Sequence, residues 1–177
     1  YEGLLGLDFW GVAIAALAMT HFTIVGVTVY LHRYSAHRAL ELHPALQHVF
    51  RFWLWLSTGM NTKEWTSIHR KHHAAVETAE DPHSPVIVGL NKVLFDGVEL
   101  YRASRTEEIK TKYGRGCPED WLETKVYTPH SQLGIFLMLG INLLLFGPIG
   151  LTVWAVQMIW IPFFAAGVVN GCLLYTS

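Results

Sequence analysis

The sequence predicts an all-α fold, an integral membrane helical bundle that carries a cytoplasmic, histidine-rich helical cap. Three observations predict it. Apolar residues make up 51% of the 177-residue chain and charged residues only 15%, against about 25% charged in a typical soluble domain. The apolar excess is concentrated in a few long runs, which is a membrane pattern rather than that of an ordinary core. Histidines stand in two clusters directly after the first of those runs, His32-Arg33-Tyr34-Ser35-Ala36-His37 and His69-Arg70-Lys71-His72-His73.

Residues 9–31, from Phe9 to Leu31, carry no formal charge. The run is long enough to cross about 30 Å of hydrocarbon with some tilt. Thr20, His21, Thr23 and Thr28 are its strongly polar members. His21 reads as an interhelical hydrogen-bonder rather than a ligand. No basic stretch precedes the run, so it is not a signal peptide, and the absent initiating methionine points to a cut N-terminus. Residues 45–60 are apolar but interrupted by His48 and Arg51. With Phe52-Trp53-Leu54-Trp55-Leu56 they predict a helix lying in the interface or buried against the bundle, not a span.

Asn61 to Ala75 carries the second histidine cluster. Glu80-Asp81-Pro82-His83-Ser84-Pro85 predicts a turn, with His83 structural or supporting rather than a ligand. Over residues 91–113, Val93, Leu94, Val98, Tyr101 and Ile109 recur near helical spacing and predict one polar amphipathic helix that Gly114 stops. Pro118-Glu119-Asp120 opens another short helix. Residues 131–147 and 149–169 are free of charge, and Gly147-Pro148-Ile149-Gly150 joins them into a transmembrane hairpin.

All 13 Lys and Arg residues lie between Arg33 and Lys125. The positive-inside rule then makes that central block cytoplasmic, with both histidine clusters on its side. Cys117 and Cys172 lie far apart and suggest no disulfide framework, in keeping with reduced, cytosol-facing loops. A formal net charge of −1 gives no sign of a nucleic-acid partner.

Histidine is the commonest metal ligand among side chains. At about 100° per residue, positions 69, 72 and 73 project from one helix face within an arc of about 100°. On the same wheel His32 and His37 fall about 140° apart, so they either straddle a site or sit where a helix ends. A lone histidine is usually a surface or core residue, but two clusters behind one apolar run read as a constellation for metal ions, more than one. The absence of H-E-x-x-H and of a cysteine pair at zinc spacing disfavours a zinc hydrolase. Imidazole suits several metals, so composition does not name the ion.

The stretches Tyr30-Leu31-His32-Arg33-Tyr34-Ser35-Ala36-His37-Arg38, Glu64-Trp65-Thr66-Ser67-Ile68-His69-Arg70-Lys71-His72-His73 and Asp81-Pro82-His83-Ser84 resemble the membrane-bound fatty acid desaturases, most closely the bacterial acyl-CoA type. The resemblance runs from about residue 9 to Gly171, making residues 1–171 one desaturase-like membrane domain. It implies O2-dependent desaturation of an acyl chain by two iron ions, leaving a cis double bond. An acyl methylene has no acidic proton for a side-chain base to take, so a redox cofactor must supply the oxidant. By the resemblance, His32, His37, His69, His72 and His73 are iron ligands and Asn170 reaches iron through water. Asn61 and Trp65 match a region lining the acyl tunnel. Arg33, Arg38, Arg70 and Lys71 are candidates to steer an anionic head group, although charge at a membrane surface explains them equally well. The implied partners are a fatty acyl substrate, O2, membrane lipid and a ferredoxin-like or cytochrome-like electron donor. The implied location is a bacterial inner membrane, crossed several times.

The family places a third cluster, H-x-x-H-H, beyond the last span, and this sequence ends at Cys172-Leu173-Leu174-Tyr175-Thr176-Ser177. Residues 172–177 do not resemble the family's continuation and read as a non-native or frame-shifted tail. The expectation is that the 177-residue chain is itself inactive. Two rival readings remain. One is a histidine-box hydroxylase or alkane monooxygenase. The other is a non-enzymatic membrane metal-binding or transport protein, for which the hairpin offers only Asn142, Thr152 and Gln157 as polar lining.

Overall fold

The structure, a computed structural model, describes residues 3–76, 78–81 and 84–163. All regular structure among the described residues is helical. The chain divides into two compact units. The first takes in the chain up to Tyr30, Leu42–Asn61 and Glu119–Trp160, and the second Leu31–Glu41, Thr62–Pro118 and the chain from Ile161.

The first unit opens with helix α1, Phe9–Val25, started by Asp8, whose carboxylate accepts from the Gly11 N–H at 2.8 Å. The helix does not stop at the predicted Leu31. It continues as a π-helical segment, Gly26–Ala36, making one run of 28 helical residues apolar enough by length and composition to cross a membrane. Helix α2, Pro44–Thr58, begins with proline at its first turn, where the missing N–H costs nothing. It ends at Gly59, whose φ of 64° is the left-handed cap. Phe50, Arg51, Leu54, Trp55 and Leu56 form its buried face, while Leu46, Val49 and Phe52 stay exposed. That one-sided burial fits the short non-spanning helix expected from sequence.

Helix α8, Ser131–Phe146, a 3-10 turn, Gly147–Ile149, and helix α9, Gly150–Pro162, make the predicted hairpin. The Trp154 indole N–H donates to the Ile135 carbonyl at 3.1 Å. Along one straight helix those residues would be about 28 Å apart, so the legs run antiparallel. The remainder of the predicted second leg, 164–169, lies outside the described residues. Gly134 lets α8 approach α2 closely, because a Cβ there would strike the Trp55 backbone and indole. Trp55, Leu56, Tyr127 and Met138 form one apolar cluster, and Val12, Phe146 and Val153 another. Inside the hairpin Asn142 and Gln157 are fully buried, and their side-chain amides have no hydrogen-bond partner among the described residues.

A charge network in which Arg51 and Glu123 are buried and Asp120 is exposed completes this unit. The Arg51 guanidinium donates to both Asp120 oxygens, at 2.5 and 2.8 Å, and to Glu123 Oε2 at 3.1 and 2.8 Å. Burial alone would lower the Arg51 pKa, but these bonds outweigh it and raise it. The hydrogen bond from Arg51 holds the Asp120 carboxyl well below the usual range. Asp120 Oδ1 also accepts the Glu123 N–H at 3.0 Å, capping the short helix that Pro118-Glu119-Asp120 was expected to open. That helix passes into a π-helical turn, Glu123–Tyr127.

The second unit is built on α3, Thr62–Ala74, packed against α7, Glu107–Tyr113. The single amphipathic helix expected over 91–113 is instead three short ones. They are α5, Leu90–Phe95, α6, Gly97–Ala103, and α7, preceded by α4, Pro85–Val88. The breaks have local causes. Asp96-Gly97 interrupts the first. Thr106 then restarts a helix by accepting the Ile109 N–H at 3.3 Å, with Glu107 and Glu108 in the favourable first turn. Val93 and Ile109 are buried, but Val98 is exposed and α6 buries nothing. Gly114 stops α7, as expected.

Candidate metal centre

Four imidazoles converge in the second unit. One ring nitrogen from each of His32, His37, His69 and His73 lies within 4.8 Å of all the others. His69 Nε2 is 3.3 Å from His37 Nε2 and 3.1 Å from His73 Nε2. His69 and His73 meet because they are one α-turn apart on α3. His32 and His37 meet for a different reason. The His37 N–H donates to the His32 carbonyl at 3.0 Å, an i→i+5 bond. Such a bond widens the turn and stacks residues five apart roughly one above the other. The angle of about 140° expected between them assumed α-helical geometry. The π-helical segment overturns it and puts both rings on one side, their centroids 4.5 Å apart.

The chain leaves that segment through Arg38 at φ 51°, a left-handed conformation unusual for a residue with a side chain. Below the turn, an open cavity of ≈ 370 Å³ is lined by His32, Arg33, His37, Ala39, Leu40 and His73. Burial, and then the neighbouring rings of His73, His32, His37 and His72, push the His69 pKa down to about 2. Burial followed by His37 and His72 also lowers that of His73. These two rings therefore keep their lone pairs at neutral pH, as ligands must. Trp65 stacks on His69 at 4.7 Å with 13° between the planes, covering one side of the ring. Four imidazoles at this separation fit the donor set of one imidazole-binding ion.

His72 is not part of the group of four. It is buried, and its Nδ1–H donates to the buried Asp81 carboxylate at 2.8 Å. That is the carboxylate–histidine pairing that fixes a ring's tautomer and aims its other nitrogen. From the sequence, Asp81 stood in a turn and in a stretch that resembles the desaturases, with no role of its own. A carboxylate nine residues beyond a clustered histidine was the available signal. Asn61 lies in the first unit, its amide donating to Glu123 Oε1 at 3.0 Å and to Thr128 Oγ1. His21 is exposed on α1 rather than engaged between helices. His83 and Asn170 lie outside the described residues, as do Cys172 and the tail 172–177.

A helical chain with a polyhistidine centre is the class that fold and site define. Comparison with known proteins narrows it. The chain is 34% identical over 71 residues to Delta-9 acyl-lipid desaturase 1 of Arabidopsis thaliana, covering 39% of this chain and 23% of the relative. It is 33% identical over 75 residues to the acyl-CoA Delta(11) desaturase of Choristoneura rosaceana, covering 42% and 22%. It is also 33% identical over 63 residues to the chloroplastic palmitoyl-monogalactosyldiacylglycerol delta-7 desaturase of Arabidopsis thaliana, covering 36% and 17%. The matched part spans under a quarter of each of these relatives. No family model matches, and no solved structure matches. Over those stretches the chain is similar to acyl-lipid and acyl-CoA desaturases, in line with the resemblance carried by its histidine clusters.

Proposed function

We propose that this chain supplies the histidine centre of an O2-dependent, non-haem di-iron acyl desaturase. The observation that carries the reading is the convergence of His32, His37, His69 and His73 from two separate elements onto one point. In this reading those four histidines hold one iron. His72, aimed by Asp81, and Asn170 through water serve a second. Iron would supply the one-electron and O2 chemistry that no side chain offers for an unactivated C–H bond.

The protein's own part is to position and to exclude water. The buried Asp81 keeps the proton of His72 on Nδ1 and so fixes the tautomer of that ring. Desolvation keeps His69 unprotonated, and the Trp65 indole shields it. Trp65 would line the acyl path. The acyl substrate, the lipid setting and an electron-donor protein complete the reaction, which takes place on the cytoplasmic face of a membrane. The relatives' names favour a double bond over an inserted oxygen, and so a desaturase over a hydroxylase.

Anaerobic Fe(II) titration of the chain in nanodiscs, followed by iron counting and Mössbauer spectroscopy, tests the centre. The expected result is histidine-ligated high-spin iron that His69→Ala abolishes. No bound iron, or iron that is indifferent to His69→Ala, would sink the reading.

A further inference from the structure

We propose that Arg70 is a positioning residue that locks the two histidine-bearing elements of the metal centre together. The inference rests on the reading of the four histidines as a metal site. Arg70 follows His69 directly on α3, and its guanidinium turns into the protein. Nε donates to the Ala36 carbonyl at 3.1 Å and Nη2 to the Ser35 carbonyl at 2.7 Å. Nη1 donates to the Tyr113 and Arg115 carbonyls, both at 2.8 Å. Ser35 and Ala36 are the two residues before His37, in the last turn of the π-helical segment, where carbonyls lack partners within the helix. A cation there also meets the negative end of the helix dipole.

One side chain thus caps the element carrying His32 and His37, anchors the end of α7, and is itself fixed to the helix of His69 and His73. The junction is reinforced by Arg38, which donates to the same Arg115 carbonyl at 3.2 Å. Gly116, at φ 74°, leaves the room that the Arg38 guanidinium occupies. This commitment to four carbonyls replaces the role of steering a head group for Arg70. A planar guanidinium presents five N–H groups in a fixed fork, whereas a lysine ammonium is one point charge and cannot span both carbonyl pairs.

The test uses Co(II) as the probe, with the full 177-residue chain in nanodiscs, wild type, R70K, R70A and H69A. Visible d–d absorption reports ligand geometry, titration reports affinity, and circular dichroism reports fold. We expect R70K to stay helical yet bind Co(II) about 10–100-fold more weakly, with a shifted d–d band, and R70A to be weaker still. If R70A fails to fold, R70K alone decides. A variant that melts earlier but keeps the wild-type spectrum and affinity would make Arg70 merely structural and overturn the proposal. Wild type that binds no Co(II), or binds as H69A does, would instead overturn the metal reading beneath it.

Discussion

His37 donates its backbone N–H to the carbonyl of His32 at 3.0 Å, and that one i→i+5 bond brings their rings within 4.5 Å. The pair owes its alignment to the turn's width and not only to its residue types. A deletion of Tyr34 would leave an i,i+4 pair that an ordinary α-turn also aligns. An alanine inserted after Tyr34 would align in neither geometry. Co(II) titration should find the deletion within about tenfold of wild type and the insertion weaker by at least about a hundredfold. Equal losses in both would show that the π-helical turn is not what matters.

Arg51 holds two carboxylates, one of them, Glu123, only 5% exposed at its side chain. Arg51→Met leaves Glu123 buried without its cation. The cost should be about 3–5 kcal/mol, read as a large fall in melting temperature in detergent. Replacing Arg51, Asp120 and Glu123 together by apolar residues should restore much of that loss. A single variant as stable as wild type would show the network to be dispensable.

Acid should unfold the metal-free chain in two stages. His69 has a folded pKa of about 2, below its ordinary 6.5, so the unfolded state binds the extra proton first and stability falls as pH drops below about 6.5. Asp120 is also held low by Arg51, so its share is present above about pH 4 and is lost as pH falls toward its folded pKa. Thermal melts from pH 8 to 3 should show both windows. His69→Gln should shrink the upper one, to which His73 also contributes, and Asp120→Asn the lower, and a melting temperature flat from pH 7 to 5 would contradict the first.

The distribution of basic residues predicts which face the central block occupies. With Cys172→Ser in place, a membrane-impermeant maleimide should label Cys117 in spheroplasts only after permeabilisation. Labelling of intact spheroplasts would reverse the assigned topology.

Much of this architecture was legible in the sequence, and the gaps have physical causes. The hairpin was legible because Gly147-Pro148 breaks a charge-free run, and Trp154 bonded to Ile135 bears it out. The clustering of His69 and His73 followed from α-helical periodicity alone. The alignment of His32 with His37 did not, because no residue type announces a π-helix and the wheel assumes an α-helix. The break at Asp96 was missed because apolar spacing is insensitive to a one-residue interruption. Arg70 and Asp81 were read as surface charge and turn, since a side chain's partner 35 or 9 positions away leaves no local trace.

The folded-over hairpin bears on how such a chain reaches a bilayer. Helix α8 has 16 residues, about 24 Å of rise, less than the roughly 30 Å of hydrocarbon. It also carries Asn142, whose amide is wholly buried here but would face acyl chains if the leg entered alone. α9 has the same problem with Gln157. Hydrocarbon penalises each bare amide, and the doubled-back pair conceals both. The two legs should therefore leave the translocon together, as a single hairpin, rather than one after the other.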